Sequence, residues 1–455
     1  MRTDNQNNFE ILVFTLLLSL ILPYFVNSSP TTSINSNKQR YIIVFNNNYS
    51  SPEPLQNHEL HFAWITKKYN KHVIQSNTVN HQVRRSNNFV KSTNSTQKSD
   101  NNQIHYFSIG DNFRGYIGEF APEFVKILNQ REEVAYVTKD DQVHVALEND
   151  DYVCFSEKND GDTKEGFGTR TQENAPWNLD RVDQRNLPLD NIYASPVTGG
   201  RRVKVYVIDT GINTLNPDFE GRAVWGTTTR KGAHDFDDYG HGTHVAGVIA
   251  GKVHGVAKIA TVIAVKALSH TGNGAWSDVI AAMDWIAERH KNDKTQKTVV
   301  NLSLTGNYFL PANQAVKALA ELGIHVVVAA GNYVKANACY FSPASAPEAI
   351  TVGATNITDH IAQFSNGGSC VDVFAPGQNI KSAWNKVEEM PVRSMSGTSM
   401  AAPHVAGVVA LLISQYGNKS PAEMQQTIKD MATKGVLKNV AEYPKNTTNA
   451  LLFVC

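Results

Sequence analysis

Beyond residue 200 the apolar positions keep two alternating rhythms. Segments 203–209, 261–267, 298–304 and 325–330 are nearly continuous apolar runs, which predicts buried strands. Between them, 241–250, 275–290 and 311–322 repeat their apolar residues at helical spacing. Continuous strands separated by amphipathic helices predict an α/β domain: a parallel sheet covered on both faces, three layers in all. Ligands in such sheets bind beyond the strand C-termini. Asp209, Ser303 to Gly306 and Asn332 all fall at those ends, so one cleft is expected to gather them.

The N-terminal third has a different rhythm. Residues 40–45, 113–120, 134–137 and 143–147 predict strands, and 121–129 predicts a short helix opened by Pro122, which together make a small α+β unit. Between these elements, 76–103 is rich in Asn, Ser, Thr and Gln with few large apolar residues, the composition of a disordered insertion. Residues 148–171 are polar, acidic and Gly-containing, as expected of an exposed linker open to proteolysis. At the start, Ile11 to Val26 form an apolar run behind a polar segment containing Arg2. It is shorter than the roughly twenty residues of a spanning helix and predicts a secretory leader over 1–28, with an uncleaved anchor as the alternative.

A chain of 455 residues exceeds the usual single core, so two folded units with tails are expected. Its 42 basic and 42 acidic residues cancel, which argues against nucleic acid or an anionic membrane as partner. Cys154, Cys339, Cys370 and Cys455 are too few for a disulfide scaffold and lack metal-site spacing, but they can pair in an oxidising compartment. Sequons at Asn48, Asn94, Asn356, Asn418 and Asn446 could carry glycans there, whereas Asn301 sits in a predicted buried strand and should stay bare.

The candidate chemistry lies in Gly397-Thr398-Ser399-Met400-Ala401-Ala402-Pro403-His404, where a serine opens an apolar helix. Upstream, Asp209 ends the first strand of the domain and His241 opens a small-residue helix in Gly240-His241-Gly242-Thr243-His244. Singly, these are a helix cap and turn residues. Together they are an acid, an imidazole and a hydroxyl, the parts of an activated nucleophile, in the order Asp, His, Ser. His244 lacks the glutamate and the spacing of a zinc-binding helix and is expected to be structural. Asn332, after Ala329-Ala330-Gly331, can offer its amide N–H to an oxyanion beside the Ser399 backbone N–H.

With Ser342-Pro343-Ala344-Ser345, these motifs resemble the subtilases, specifically their proteinase K-like branch, over about residues 172–455. The resemblance implies a subtilisin-like peptidase domain with Asp209, His241 and Ser399 as its triad and Asn332 in the oxyanion hole. It implies that 40–147 is a ferredoxin-like, inhibitor-type propeptide and that processing falls between 147 and 172. Substrate strands are implied at Gly272, Asn273 and Gly274 and at Ser303, Leu304, Thr305 and Gly306, with Ala329, Ala330 and Gly331 beside the primary pocket and Trp276 on the rim of the fourth. Thr305 stands where the family usually has Gly, so small or medium apolar P1 residues are expected. Pro347, Ala349 and Asp372 match a structural calcium site, and Cys339 with Cys370 a disulfide; Cys154 and Cys455 are left either bridged or free. The expected protein is a secreted or vacuolar, monomeric serine endopeptidase, a zymogen with no catalytic cofactor, whose partners are its propeptide and protein or peptide substrates. The alternative is a self-cleaving binding protein that retains its prodomain.

Overall fold

The computed structural model describes residues 38–47, 61, 64–65, 104–148, 163–165, 168–293, 295–386 and 390–454. The leader, the Asn-rich insertion, Asn48, Asn94, Cys154 and Cys455 lie outside these residues.

Strands β1 (Gln39–Phe45), β2 (His105–Ile109), β3 (Phe113–Phe120) and β4 (Val134–Lys139) form an antiparallel sheet in the order β2–β3–β1–β4, with helix α1 (Pro122–Leu128) following β3. Strand alternation divides β1 between two cores. Ile43 and Phe45 join Ile65, Phe120, Phe124 and Leu128 in the core of this unit. Ile42 and Val44, with Phe107, Phe113 and Ile117, share a second cluster with the large domain, including Val279, Met283, Val316 and Leu319. The small unit thus buries one whole apolar sheet face on its neighbour.

One expectation is corrected. The segment expected as the fourth strand of this sheet forms β5 (Gln142–Val145), which leaves it and pairs with the large domain. Its place is taken by β2, a short His-Tyr-Phe-Ser-Ile run whose only fully inward side chains are Phe107 and Ile109.

The large domain contains β6 (Lys204–Asp209), β7 (Ala223–Thr228), α2 (His241–Ala250), β8 (Thr261–Lys266), β9 (Asn273–Ala275), α3 (Trp276–Lys291), β10 (Thr298–Leu302), β11 (Leu304–Asn307), α4 (Leu310–Glu321) and β12 (His325–Ala329). After these come β13 (Ile350–Thr355), β14 (Val373–Pro376), α5 (Thr398–Tyr416), α6 (Pro421–Met431), β15 (Thr433–Lys434) and β16 (Ala450–Leu451). The central sheet has nine strands in the order β7–β8–β6–β10–β12–β13–β14–β16–β15, parallel except at β15. Residues of α2 and α5 pack in one cluster with one set of strand side chains, and residues of α3 and α4 with the other, giving the predicted layers. Helix α5 is long and apolar enough to cross a membrane, yet 89% of that stretch is buried within the domain. A helix apolar all round belongs inside. Cys339 and Cys370 are disulfide-bonded, with Cα atoms 5.4 Å apart.

Candidate active site

Asp209 is the last residue of β6, and β8 and β10 flank that strand, so its carboxylate emerges at a C-terminal edge in the middle of the sheet. Thr210 N–H donates to Asp209 Oδ1 at 2.7 Å. His241 begins α2, and its Nδ1 lies 2.7 and 2.8 Å from the two Asp209 oxygens. Gly242 is required here, because a Cβ would fall 2.0 Å from the Gly211 carbonyl oxygen. Both partners of the pair are fully buried.

Asp237, which the sequence reading passed over, ties the Asp209 and His241 segments together. Its Oδ1 accepts from Thr210 Oγ1, Tyr239 N and Gly240 N, and its Oδ2 from Thr243 N and Oγ1. Burial raises its pKa, and these donors oppose the shift. Its place four residues before His241 was the available signal.

Ser399 lies in the first turn of α5, where the helix dipole favours developing negative charge. Its Oγ donates to the Ser303 carbonyl at 2.9 Å, and Ser303 Oγ donates back to the Ser399 carbonyl at 2.8 Å. His241 Nε2 is buried without a hydrogen-bond partner. Thr398 explains how Asn332 is aimed: its N–H and Oγ1 both donate to Asn332 Oδ1, at 3.0 and 2.8 Å. Held by its oxygen, Asn332 leaves Nδ2 buried and unpartnered. His244 is placed elsewhere. Its Nε2 meets the carbonyls of Ile380 and Arg393 at 2.9 and 3.0 Å, and burial first, the nearby His241 second, push its pKa down to about 3. It is a neutral structural donor.

The cleft is filled by β5 and the residues after it. His144 pairs with Asn273 on one side and Thr305 on the other, Val143 faces Gly274, and Val145 faces Leu304. Val145 N–H donates to Gly272 O at 3.0 Å and Ala146 N–H to Ser303 O at 3.3 Å. The Ala146 carbonyl then accepts from Ser399 N–H at 3.1 Å, and Glu148 N–H donates to Ser396 O at 2.9 Å. Gly397 makes room for that carbonyl, since a Cβ there would lie 2.4 Å from Ala146 O.

Trp276 is wholly buried and stacks on Phe309, with ring centroids 5.9 Å apart, in the apolar cluster that also holds Val143. Thr305 is buried, and its Oγ1 lies 3.3 Å from where a Cβ on Gly331 would stand, so the two residues are close neighbours. Asn366, also unforeseen, fixes that wall by donating to Ala330 O and accepting from Tyr333 N, at 2.8 and 2.9 Å. Ala329 ends β12 beneath it.

Pro347, Ala349 and Asp372 come together away from the cleft, but not around an open space. Gln425 Nε2 donates to Pro347 O, Ala349 O and Asp372 Oδ2, at 3.2, 2.8 and 3.2 Å. Lys429 Nζ lies 2.6 Å from Asp372 Oδ1. These oxygens are already satisfied by protein donors, so the set as it stands does not fit calcium. Among the described residues no other group of His, Cys, Asp and Glu could hold a metal.

Residues 200–448 match the family model described as the Subtilase family, and residues 40–146 that described as Peptidase inhibitor I9. A subtilisin-like protease of Coccidioides posadasii is 40% identical over 76% of this chain and 69% of its own length. The subtilisin-like serine protease Pen c 2 of Penicillium citrinum is 39% identical over 76% and 75%. A putative subtilase-type proteinase from Schizosaccharomyces pombe, named for a sexual differentiation process, is 34% identical over 94% and 83%. Among solved structures, a cold-adapted subtilisin-like serine proteinase superposes with TM-score 0.58 at 41% identity, covering 62% of this chain and 99% of its own.

Proposed function

The chain belongs to the subtilase family and carries an I9-type inhibitor domain, and from that premise we propose that it is a zymogen that cuts itself between Ala146 and Leu147. It is a serine endopeptidase whose substrates are proteins, and its chemistry needs no catalytic cofactor. The observation that carries the reading is the Ala146 carbonyl, which accepts from Ser399 N–H while Asn332 Nδ2 waits unpartnered. A carbonyl so placed is held as a substrate carbonyl would be.

Rotation of Ser399 about χ1 moves Oγ from Ser303 O to His241 Nε2. Oγ then attacks the Ala146 carbonyl carbon, and its proton passes to Nε2. Asp209 fixes the Nδ1–H tautomer and stabilises the imidazolium. The oxyanion takes N–H donors from Ser399 and Asn332. His241 returns the proton to the Leu147 nitrogen as the C–N bond breaks, and a water repeats the sequence on the acyl-enzyme. The cut leaves β5 paired in the cleft as a product-like inhibitor, held by the sheet face of Ile42 and Val44.

This puts the propeptide boundary one bond before the 147–172 window implied by the resemblance, and leaves 147–171 at the front of the new chain. In this reading Ala146 is the P1 residue, which supports a preference for small P1 side chains, and Val143 is the P4 residue, in the same apolar cluster as Trp276. The remaining reading is a secreted or vacuolar, monomeric enzyme of broad specificity. The apolar run Ile11 to Val26 and the Cys339–Cys370 disulfide support export through an oxidising compartment.

Intact mass of the released prodomain tests the bond. It should end at Ala146 in the wild type, and the Ser399→Ala chain should stay uncut. A first product ending elsewhere, or equal cutting of both chains, overturns the reading. A wild type that cuts itself but no unfolded protein added to it would instead be a binding protein that retains its prodomain.

A further inference from the structure

The calcium site implied by family resemblance is closed in this chain by two side chains of one helix. Helix α6 starts at a capping box in which Ser420 and Glu423 satisfy each other's backbone N–H, and its buried Met424 and Ile428 fix its inner face. Gln425 and Lys429 stand one turn apart on that helix, beside this anchored face. Gln425 therefore reaches Pro347 O, Ala349 O and Asp372 Oδ2 with one nitrogen, while Lys429 takes Asp372 Oδ1. Thr351 N–H adds a further donor to Asp372 Oδ2 at 2.8 Å.

Calcium seeks about six to eight oxygen ligands at about 2.3–2.6 Å. Here it would have to displace the amide, lose the hydrogen bonds that satisfy two backbone carbonyls, and sit beside an ammonium ion that already neutralises the lone carboxylate. We infer that Gln425 and Lys429 do the work of the ion, tying the 347–349 segment and Asp372 to α6, so that the stability of this protease does not depend on calcium.

The inference makes a further expectation about Gln425. Its replacement by the isosteric glutamate removes both N–H donors and sets a second carboxylate against three oxygens. Such a cage requires a cation.

The test is thermal unfolding of the full-length Ser399→Ala chain, which cannot autolyse, in millimolar EDTA and in millimolar calcium. The Tm of this parent should be the same in both. Gln425→Glu on the same background should melt about 3–8 °C lower in EDTA and recover in calcium. The milder Lys429→Ala, which removes only the competing charge, should also gain a calcium-dependent rise, with heat of calcium binding in a titration. A parent Tm that falls in EDTA and returns with calcium would overturn the inference, and would mean that the amide turns its oxygen to the ion. So would Gln425→Glu and Lys429→Ala that both ignore calcium.

Discussion

Two polar clusters in this molecule, one part-buried around Asp372 and one buried around Ser399, are built from the same materials and finished differently. Around Asp372 every acceptor has a donor: Gln425, Lys429 and Thr351 saturate one carboxylate and two carbonyls. Around Ser399 saturation stops short, leaving His241 Nε2 and Asn332 Nδ2 buried without partners. A buried polar atom without a partner costs about 1–3 kcal/mol, so two such atoms at the end of a strand-bound tail are a sustained expense. The first cluster holds the fold. In the proposed mechanism the second withholds two hydrogen bonds until a reacting carbonyl and a leaving amine supply them, where they lower the barrier rather than the ground state.

The contrast is broken most severely at Ser399. Ser399→Ala should abolish self-processing and lower kcat on an unfolded protein by about 10⁶-fold, roughly 8 kcal/mol, with little loss of stability. SDS gels and progress curves read both; a substantially active variant would remove the serine from the chemistry. Asn332→Ala deletes one waiting donor and should cost about 10²–10³-fold in kcat with KM nearly unchanged. A rise in KM instead would make Asn332 a substrate-binding group.

At the saturated cluster the effects should reverse. Asp372→Ala removes the acceptor of Lys429, Gln425 and the Thr351 N–H, and should cost about 1–2 kcal/mol in urea unfolding while kcat/KM stays within about twofold. A large catalytic loss with intact stability would show that the two clusters are coupled.

The smallest effect sharpens the account of the tail. Burial holds the pKa of His144 below its ordinary value, with Tyr333 OH 3.0 Å away. Bound neutral and free to protonate once released, it favours the filled cleft above its unbound pKa of about 6.5. That contribution is lost as pH falls below 6.5 toward the lower bound value, by at most tenfold per unit. His61 and His105 are lowered by burial too, whereas the interface carboxylates Asp140, Asp278 and Asp284 are raised, Asp278 to about 6, and act oppositely. The difference between wild type and the H144Q variant in prodomain inhibition constant from pH 7.5 to 5.5 isolates His144. Parallel curves would remove it from the balance.

Much of this was legible in the chain. The strand ending at Asp209 and the helix beginning at His241 were placed by apolar rhythm alone, because a doubly covered parallel strand must be apolar along its length and a packed helix must repeat near 3.6. Less legible was β5. Gln-Val-His-Val has the alternation of any short strand, and nothing in it says which sheet it joins. Asn366 was invisible for a related reason, since it acts through backbone groups brought to it by other segments, and Asp237 offered only its place before His241, since the Thr210 and Thr243 hydroxyls and the backbone N–H groups it binds come together only in the fold.

The sequence by itself determined the layered architecture, the separate small α+β unit, and an acid, an imidazole and a hydroxyl at strand and helix ends, because those follow from periodicity and local chemistry. Only the tertiary structure decided that the tail after β4 lies across Ser399 with Ala146 at its centre, and that the oxygens of Pro347, Ala349 and Asp372 meet a glutamine and a lysine rather than an open space. Both outcomes depend on carbonyl positions, and a carbonyl belongs to every residue: its chemistry is set by where the fold puts it and not by the side chain that names it.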